Sequence, residues 1–161
     1  MAVQNNTQPF ISRSTLQFAF YMAIALVVIT LTGVFRTFAR REVIQDQLTL
    51  ASAFLYIALF SVALFTAMRA RQAGTASAVV NGVIGGVMAA AGIAALTVFS
   101  VNVDISSFIF RNLGDLHPGA VTFNQESLEA GLAILLGVGA GIGAAAGVVA
   151  VMSSRLRNTL I

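Results

Sequence analysis

AGLAILLGVGAGIGAAAGVVAVMSS, residues 130–154, is the stretch that decides the fold, and it contains no charged residue. As a helix that rises about 1.5 Å per residue it would be about 38 Å long, enough to cross a hydrocarbon core about 30 Å thick. Gly139, Gly143 and Gly147 recur every four residues and therefore lie on one stripe of that helix. A stripe of small residues lets a neighbouring helix backbone approach closely. The stretch therefore predicts a membrane-spanning helix with a docking face.

The composition of the whole chain also indicates a membrane protein. Of its 161 residues, 58% are hydrophobic and 9% are charged, whereas soluble domains carry about 25% charged residues. So little charge cannot cover a surface in water, but side chains that face lipid need not be polar. All nine basic residues are arginines beside apolar runs, where they anchor at lipid headgroups, so the net charge of +3 does not indicate nucleic acid. The chain has no cysteine, which excludes disulfides and thiolate chemistry.

Four uncharged runs predict an all-α fold, a polytopic bundle of four transmembrane helices. The predicted spans cover residues 14–35, 47–68, 78–101 and 130–154. We expect a single integral membrane domain that covers residues 1–161. The charged connector after the first span, residues 36–46, is suited to a helical extension or to a tight link at the membrane surface.

Residues 104–113 predict a short amphipathic helix at the membrane interface, between spans 3 and 4. Asp104 can cap this helix, and its apolar side chains share one side: Ile105, Phe108, Ile109 and Leu113. A second cap, at Thr122 or Asn124, is expected to lead into span 4.

Small residues recur every four positions in span 3 as well as in span 4. In span 3 they are Ala78, Gly82, Gly86, Ala90 and Ala94. We therefore predict that spans 3 and 4 pack closely through the helix-packing residues Gly82, Gly86, Gly139, Gly143 and Gly147. Spans 1 and 2 are rich in Phe, Leu, Ile and Val and are expected to face lipid or a partner.

Two motifs could suggest a cofactor, and neither has the context that a cofactor site needs. The sequence GVGAGIGAAAG matches the G-x-G-x-x-A dinucleotide fingerprint twice, at Gly139, Gly141 and Ala144 and again at Gly141, Gly143 and Ala146. A fingerprint requires a preceding strand and an acidic residue about 20 positions later, so helix packing is the favoured interpretation. The single histidine, His117, lies in a predicted loop, and no span holds a histidine that could ligate haem or chlorophyll.

The spans also lack charged side chains that would mark a proton or ion pathway. Asn81 is interpreted as an interhelical hydrogen-bonding residue in preference to a substrate contact. Glu126 and Glu129 are three residues apart, which favours helix capping over a catalytic pair. We therefore expect no enzyme activity, no catalytic residue, no metal site and no cofactor, and the sequence does not indicate cofactor-binding residues.

The order of the spans and connectors resembles that of a known membrane region. The first span ends in FRTFARREVIQDQLTLAS (residues 35–52), the second in MRARQAG (68–74), and VNVDISSFIFRNLGDLHPGAVTFNQESLEAGL (101–132) enters the fourth. This layout resembles the amino-terminal membrane region of long permeases of branched-chain amino acid ABC importers. The permease core of that family carries a coupling loop with an EAA-type signature, whereas SLEAG at 127–131 enters a span. The resemblance therefore implies an added region outside the translocating core, and no substrate residue is carried over.

Two functional hypotheses follow. The first is a non-enzymatic membrane subunit or domain that packs against a larger transport assembly, of the amino acid importer type. The alternative is an accessory structural subunit of a respiratory or photosynthetic membrane complex. A freestanding transporter built by oligomerisation is less favoured, because no polar residue lies where a pathway would run. The expected partners are membrane lipids and other integral membrane subunits, with no nucleic acid.

The arginines give a prediction of sidedness. Four spans place both termini on one side, together with five arginines, against four arginines on the other side. Since the cytoplasmic side carries the excess of basic residues, this difference favours cytoplasmic termini, in a bacterial inner membrane.

Overall fold

The computed structural model describes residue 11 and residues 13–31, 42–44, 48–103 and 127–159. Four long helices make up this part of the chain: α1 (Arg13–Leu31), α2 (Leu50–Ala70), α3 (Thr75–Asn102) and α4 (Leu128–Thr159). A 3₁₀ turn, Arg71–Ala73, joins α2 to α3, and a short antiparallel pair, β1 (Glu42–Ile44) with β2 (Leu48–Thr49), precedes α2. The predicted four-helix architecture is confirmed. The predicted amphipathic helix at 104–113 lies outside the described residues.

Each helix contains an apolar stretch that is long enough to cross a membrane. These stretches are Arg13–Leu31, Leu50–Ala73, Thr75–Asn102 and Leu128–Ser153. Their length and composition indicate an integral membrane protein.

The start of α2 is set by a capping box, three residues after the predicted start of the span at 47. The Thr49 hydroxyl oxygen accepts a hydrogen bond from the Ser52 amide at 3.2 Å, and the Ser52 hydroxyl oxygen accepts one from the Thr49 amide at 3.0 Å. These two bonds satisfy donors that the first turn of a helix leaves open. Residues 42–44 before this cap are extended, so the connector is not a helical extension there.

A sharp turn at Gly74 separates α2 from α3. Gly74 has φ 116°, a conformation that side chains other than glycine rarely adopt. Its amide donates to Arg71 O at 3.1 Å, which closes the 3₁₀ turn. Helix α3 begins directly after it, at Thr75, so the turn ends three residues earlier than the predicted span start at 78.

Ser127 stands at the start of α4. Its hydroxyl oxygen accepts a hydrogen bond from the Ala130 amide at 3.0 Å, as an N-cap side chain does. The predicted caps Thr122 and Asn124 lie outside the described residues. At its other end α4 continues past the predicted limit at 154 to Thr159.

Helix α3 is at the centre of the bundle and contacts the other three helices. The buried apolar cluster draws on all four: Leu26 of α1, Leu55, Leu59 and Val62 of α2, Ala89, Ala90 and Ile93 of α3, and Leu135 of α4. The outer faces of α1 and α2 expose large apolar side chains, among them Phe20, Ile24 and Val28 of α1 and Ile57 and Phe65 of α2. These faces suit contact with lipid chains.

Candidate functional site: the glycine interface between α3 and α4

The structure places all five predicted helix-packing glycines at the contact between α3 and α4. The two helices run antiparallel, and their four-residue steps match. Gly139 lies against Gly86, and Gly143 lies against Gly82. One step further along α4, Gly147 lies against Ala78 and Val79. The two stripes therefore form one continuous interface, which we name the inner stripe contact.

The backbones in the inner stripe contact approach so closely that a side chain would not fit. A methyl group at Gly143 would lie 2.5 Å from Gly82 O and 2.7 Å from the Val83 Cα. One at Gly147 would lie 2.5 Å from the Val79 Cα, and methyl groups at Gly82 and Gly86 would overlap carbonyl oxygens of α4. Since the close atoms belong to the backbone, no rotamer change relieves these overlaps. Only glycine is compatible with this helix separation.

Close approach also lets glycine hydrogens point at carbonyl oxygens across the contact. The direction that a Cβ would take from Gly86 leads to Gly139 O, and the same direction from Gly82 leads to Gly143 O. In glycine a hydrogen occupies this position, so both pairs have the arrangement of Cα–H···O contacts that recur between closely packed helices. Dispersion and these weak contacts hold helices together in lipid, where no hydrophobic force acts between them.

Gly85 and Gly92 let α2 and α1 pack closely against α3. The four-residue spacing does not identify these two glycines. A methyl group at Gly85 would lie 2.7 Å from the Thr66 Oγ1 and 3.2 Å from the Ala63 Cα, both on α2. A methyl group at Gly92 would lie 3.2 Å from a methyl carbon of Val27 on α1. The adjacent glycines 85 and 86 were a signal for this, because neighbours in sequence point about 100° apart around a helix and can serve two partners.

A second line of small residues runs along the outside of α4, and we name it the outer stripe: Ala133, Gly137, Gly141 and Ala145, all exposed. They recur every four residues, like the inner glycines. Gly141 lies two positions from Gly139 and Gly143, hence about 200° around the helix from each. No atom of another element lies within 4 Å of where a Cβ would be at Gly137 or Gly141. The outer stripe is thus open.

Several buried polar side chains of the bundle donate hydrogen bonds to carbonyl oxygens of their own helices. Thr66 donates to Val62 O at 2.7 Å, and Thr97 donates to Ile93 O at 2.9 Å. Asn81 is fully buried, and its Nδ2 donates to Ser77 O at 2.8 Å, within α3. Bonds of this kind make a polar side chain tolerable in lipid. None of the buried side chains in the described ranges is charged.

The structure also bears on the candidate cofactor motifs. Helix α4 begins at Leu128, so Gly139, Gly141 and Gly143 lie in the middle of a continuous helix and not at a turn between a strand and a helix. Their amides are engaged in the helix and are not presented to a phosphate, unlike those of a dinucleotide-binding loop. Within the described ranges, no group of three His, Asp or Glu residues could hold a metal ion. His117 lies outside those ranges.

Comparison with known proteins adds no assignment: no family model, curated protein or solved structure matches the chain. The arguments for a function therefore come from the chain itself. Its distinctive feature is a helix, α4, with two stripes of small residues on roughly opposite faces, of which one is occupied by α3 and one is open. This arrangement can hold helices together, and it presents no reacting group.

Proposed function

We propose that this chain is a non-enzymatic integral membrane subunit or domain that packs against a larger transport assembly, of the branched-chain amino acid ABC importer type. The observation that carries the proposal is the outer stripe of α4. Its two glycines, Gly137 and Gly141, have open space where their side chains would be. A helix of another membrane subunit is the partner that such a surface fits best.

The inner stripe contact shows what a stripe of this kind does in the same helix. There, glycines at intervals of four let α3 approach to backbone contact. The outer stripe has the same interval and the same residue types. A partner helix can dock on it by the same close approach, whereas α1 and α2 expose large apolar side chains that suit lipid. Helix α4 also exposes large apolar side chains, among them Ile134, Leu136 and Val148, and the open glycines are what distinguishes it from α1 and α2.

The interior supports a role in assembly rather than in transport or catalysis. The buried polar residues in the described ranges are all uncharged, and three of them lie within two residues of a helix end: Thr15, Thr30 and Ser77, with Thr66, Asn81 and Thr97 further inside. A pathway for ions or polar solutes would need ionisable or strongly polar groups along its length. The chain is better suited to position a translocating subunit than to act as one.

The link to an amino acid importer comes from the layout of the spans and connectors, which resembles the added amino-terminal region of its long permeases. Under this proposal the membrane is the bacterial inner membrane. The termini are on the cytoplasmic side, since five of the nine arginines lie there without an acidic residue.

The experiment is photo-crosslinking of the full chain in the membranes of its own host. A photoreactive amino acid at position 141 on the outer stripe is compared with one at Ile57, on the exposed face of α2. We expect position 141 to give an adduct with another membrane subunit, and Ile57 to give lipid adducts. Mild detergent extraction of the same membranes is expected to recover an ATPase and a solute-binding protein with the chain.

Two outcomes would overturn the proposal. If position 141 gives only lipid adducts, the outer stripe has no helix partner and the docking role is wrong. If the crosslinked partner belongs to a respiratory or photosynthetic complex, docking is correct but the transport assignment is wrong. The photoreactive amino acid at position 141 combined with Gly137→Ile provides a matched control, because the isoleucine blocks the outer stripe one helical step away and should abolish the subunit adduct while leaving the inner stripe contact intact.

A further inference from the structure

The end of the bundle where α1 begins and α4 ends carries arginines and, among the residues that the structure describes, no acidic residue. We name this end the terminal face; it comprises the start of α1, the end of α2, the 3₁₀ turn, the start of α3 and the end of α4. Its arginines are Arg13, Arg69, Arg71, Arg155 and Arg157. In the sequence, all six carboxylates of the chain fall in the two segments 36–46 and 102–129, which connect α1 to α2 and α3 to α4.

Arg69 has the most defined environment among these arginines. It lies in the last turn of α2 with an exposed side chain, and its guanidinium carbon lies 4.1 Å from the centre of the Phe18 ring of α1. A guanidinium over an aromatic ring keeps N–H groups at its edge that can donate to an acceptor. The contact thus holds a planar donor at the groove between α1 and α2.

No carboxylate in the described part of the chain can reach Arg69. The two described acidic residues are Glu42 and Glu129, and both lie at the opposite end of the bundle. Nineteen residues of α2 separate Leu50 from Arg69, which corresponds to about 28 Å along the helix axis. The acceptor for this guanidinium must therefore come from outside these residues.

Arg69 lies near the end of its apolar stretch, Leu50–Ala73. Arg13, where α1 begins, lies five residues before Phe18, or about 7.5 Å along the axis toward the membrane surface. Phe20 and Tyr21 are exposed on the same helix slightly deeper, as aromatic side chains are at a membrane interface. Because charged side chains near span ends extend toward the headgroups, we expect the Arg69 guanidinium to reach the headgroup region.

We propose that the groove between α1 and α2 at the terminal face binds the headgroup phosphate of an anionic phospholipid. Arg69, oriented by Phe18, donates to the phosphate oxygens in the bidentate manner that a guanidinium allows. Arg13 and Arg71 add positive charge at the same end of the bundle. The excess of five arginines without an acidic residue on this face selects an anionic over a zwitterionic headgroup. This site is independent of the helix-docking role of α4.

The test uses the full chain reconstituted in phosphatidylcholine vesicles. Electron paramagnetic resonance of spin-labelled phosphatidylglycerol and spin-labelled phosphatidylcholine gives the relative association of each lipid with the protein. We expect the native chain to prefer phosphatidylglycerol, and Arg69→Gln to lower this preference about five-fold, the effect of about one interfacial arginine. Phe18→Leu should lower it partly, because the charge remains but loses its orientation.

Arg40→Gln is the matched control, since it removes the same charge from the connector at the opposite end of the bundle. An equal loss of preference in Arg40→Gln and Arg69→Gln would overturn the site and indicate an effect of net charge only. Equal association of the two lipids with the native chain would also overturn it. Circular dichroism verifies that each variant is helical, and Phe18→Leu provides a second variant in case Arg69→Gln fails to fold.

Free phosphate is distinguished from the lipid in the same vesicles. Inorganic phosphate and sodium chloride are added at equal ionic strength. Equal, weak displacement of the labelled phosphatidylglycerol by both salts is expected for a lipid site, since screening acts alike in both. Stronger displacement by phosphate would overturn the assignment to lipid and indicate a site for the free anion.

Discussion

The inner and outer stripes of α4 consist of the same small residues at the same spacing but have different surroundings. At Gly143 on the inner stripe, a methyl group would meet backbone atoms of α3 at 2.5 Å and 2.7 Å. At Gly141, two positions away, it would meet nothing within 4 Å. The four-residue spacing of small residues therefore shows where another helix can approach α4 closely. It does not show which of the two stripes is covered by a helix of the same chain. Substitutions at matched positions of the two stripes separate these roles.

The largest difference is expected when isoleucine replaces one glycine on each stripe. Gly86→Ile should lower the free energy of unfolding by about 3 kcal/mol or more, because the side chain would overlap the backbone of α4 and force the helices apart. Gly141→Ile should change the stability of the isolated chain by less than about 0.5 kcal/mol, since the position is open. Unfolding in mild detergent, followed by circular dichroism or steric trapping, gives both values. Similar losses in the two variants would contradict the comparison.

Alanine gives a smaller version of the same comparison. Gly143→Ala should cost about 1–3 kcal/mol, because even one methyl group lies too close to Gly82 O and Val83. Gly137→Ala should be neutral or stabilising by up to about 1 kcal/mol, since alanine favours the helix and meets no other element. The unfolding measurement is the same, and a more stable Gly143→Ala variant would argue against backbone contact at the inner stripe.

A third, weaker effect is expected where α2 and α1 contact α3. Gly85→Ala should cost about 1 kcal/mol because the methyl group would meet Thr66 and Ala63, whereas Gly92→Ala should cost less than about 0.5 kcal/mol, since the Val27 side chain can move aside. Adding Thr66→Ala to Gly85→Ala removes the nearest atom and should restore part of the loss. A double variant as unstable as the sum of the two single variants would place the strain elsewhere.

The smallest effect is expected from a buried hydroxyl. Thr97 donates only to Ile93 O in its own helix among the bonds described, so Thr97→Val should change stability by less than about 0.5 kcal/mol. The unfolding curve of this variant in detergent tests the statement. A loss of stability well above this range would indicate that the Thr97 hydroxyl makes a contact with another helix, in addition to its hydrogen bond within α3.

The four spans could be predicted from sequence because the absence of charge over about 20 residues leaves few alternatives in a chain of this composition. Their ends could be predicted only approximately, since local hydrogen bonds determine them. The Thr49 and Ser52 capping box starts α2 inside an uncharged run, and α4 continues through Arg155 and Arg157. Charge limits the apolar stretch but does not end the helix.

The roles of some glycines could also be predicted from sequence, and the roles of others could not. A repeat every four residues identifies a stripe on one helix, so the residues that form the inner stripe contact could be named before their partners were known. The roles of Gly85 and Gly92 could not be read this way, because each serves a different neighbour and neither belongs to the repeat. The open side of α4 was also hidden in the sequence, since Gly137 and Gly141 differ from Gly139 and Gly143 only in what lies opposite them.

Cysteine cross-linking across α3 and α4 tests the central claim most directly, because the native chain has no cysteine and any introduced pair is unique. The register that sets Gly139 against Gly86 sets Leu135 against Ala90, and both side chains are buried in the same cluster. Ala90→Cys with Leu135→Cys therefore introduces two thiols across the contact without replacing a glycine. Ala90→Cys with Gly141→Cys places the second thiol on the outer face. We predict rapid intramolecular disulfide formation in the first pair and none in the second. A disulfide in the second pair but not in the first would contradict the orientation of α4 on which the account depends.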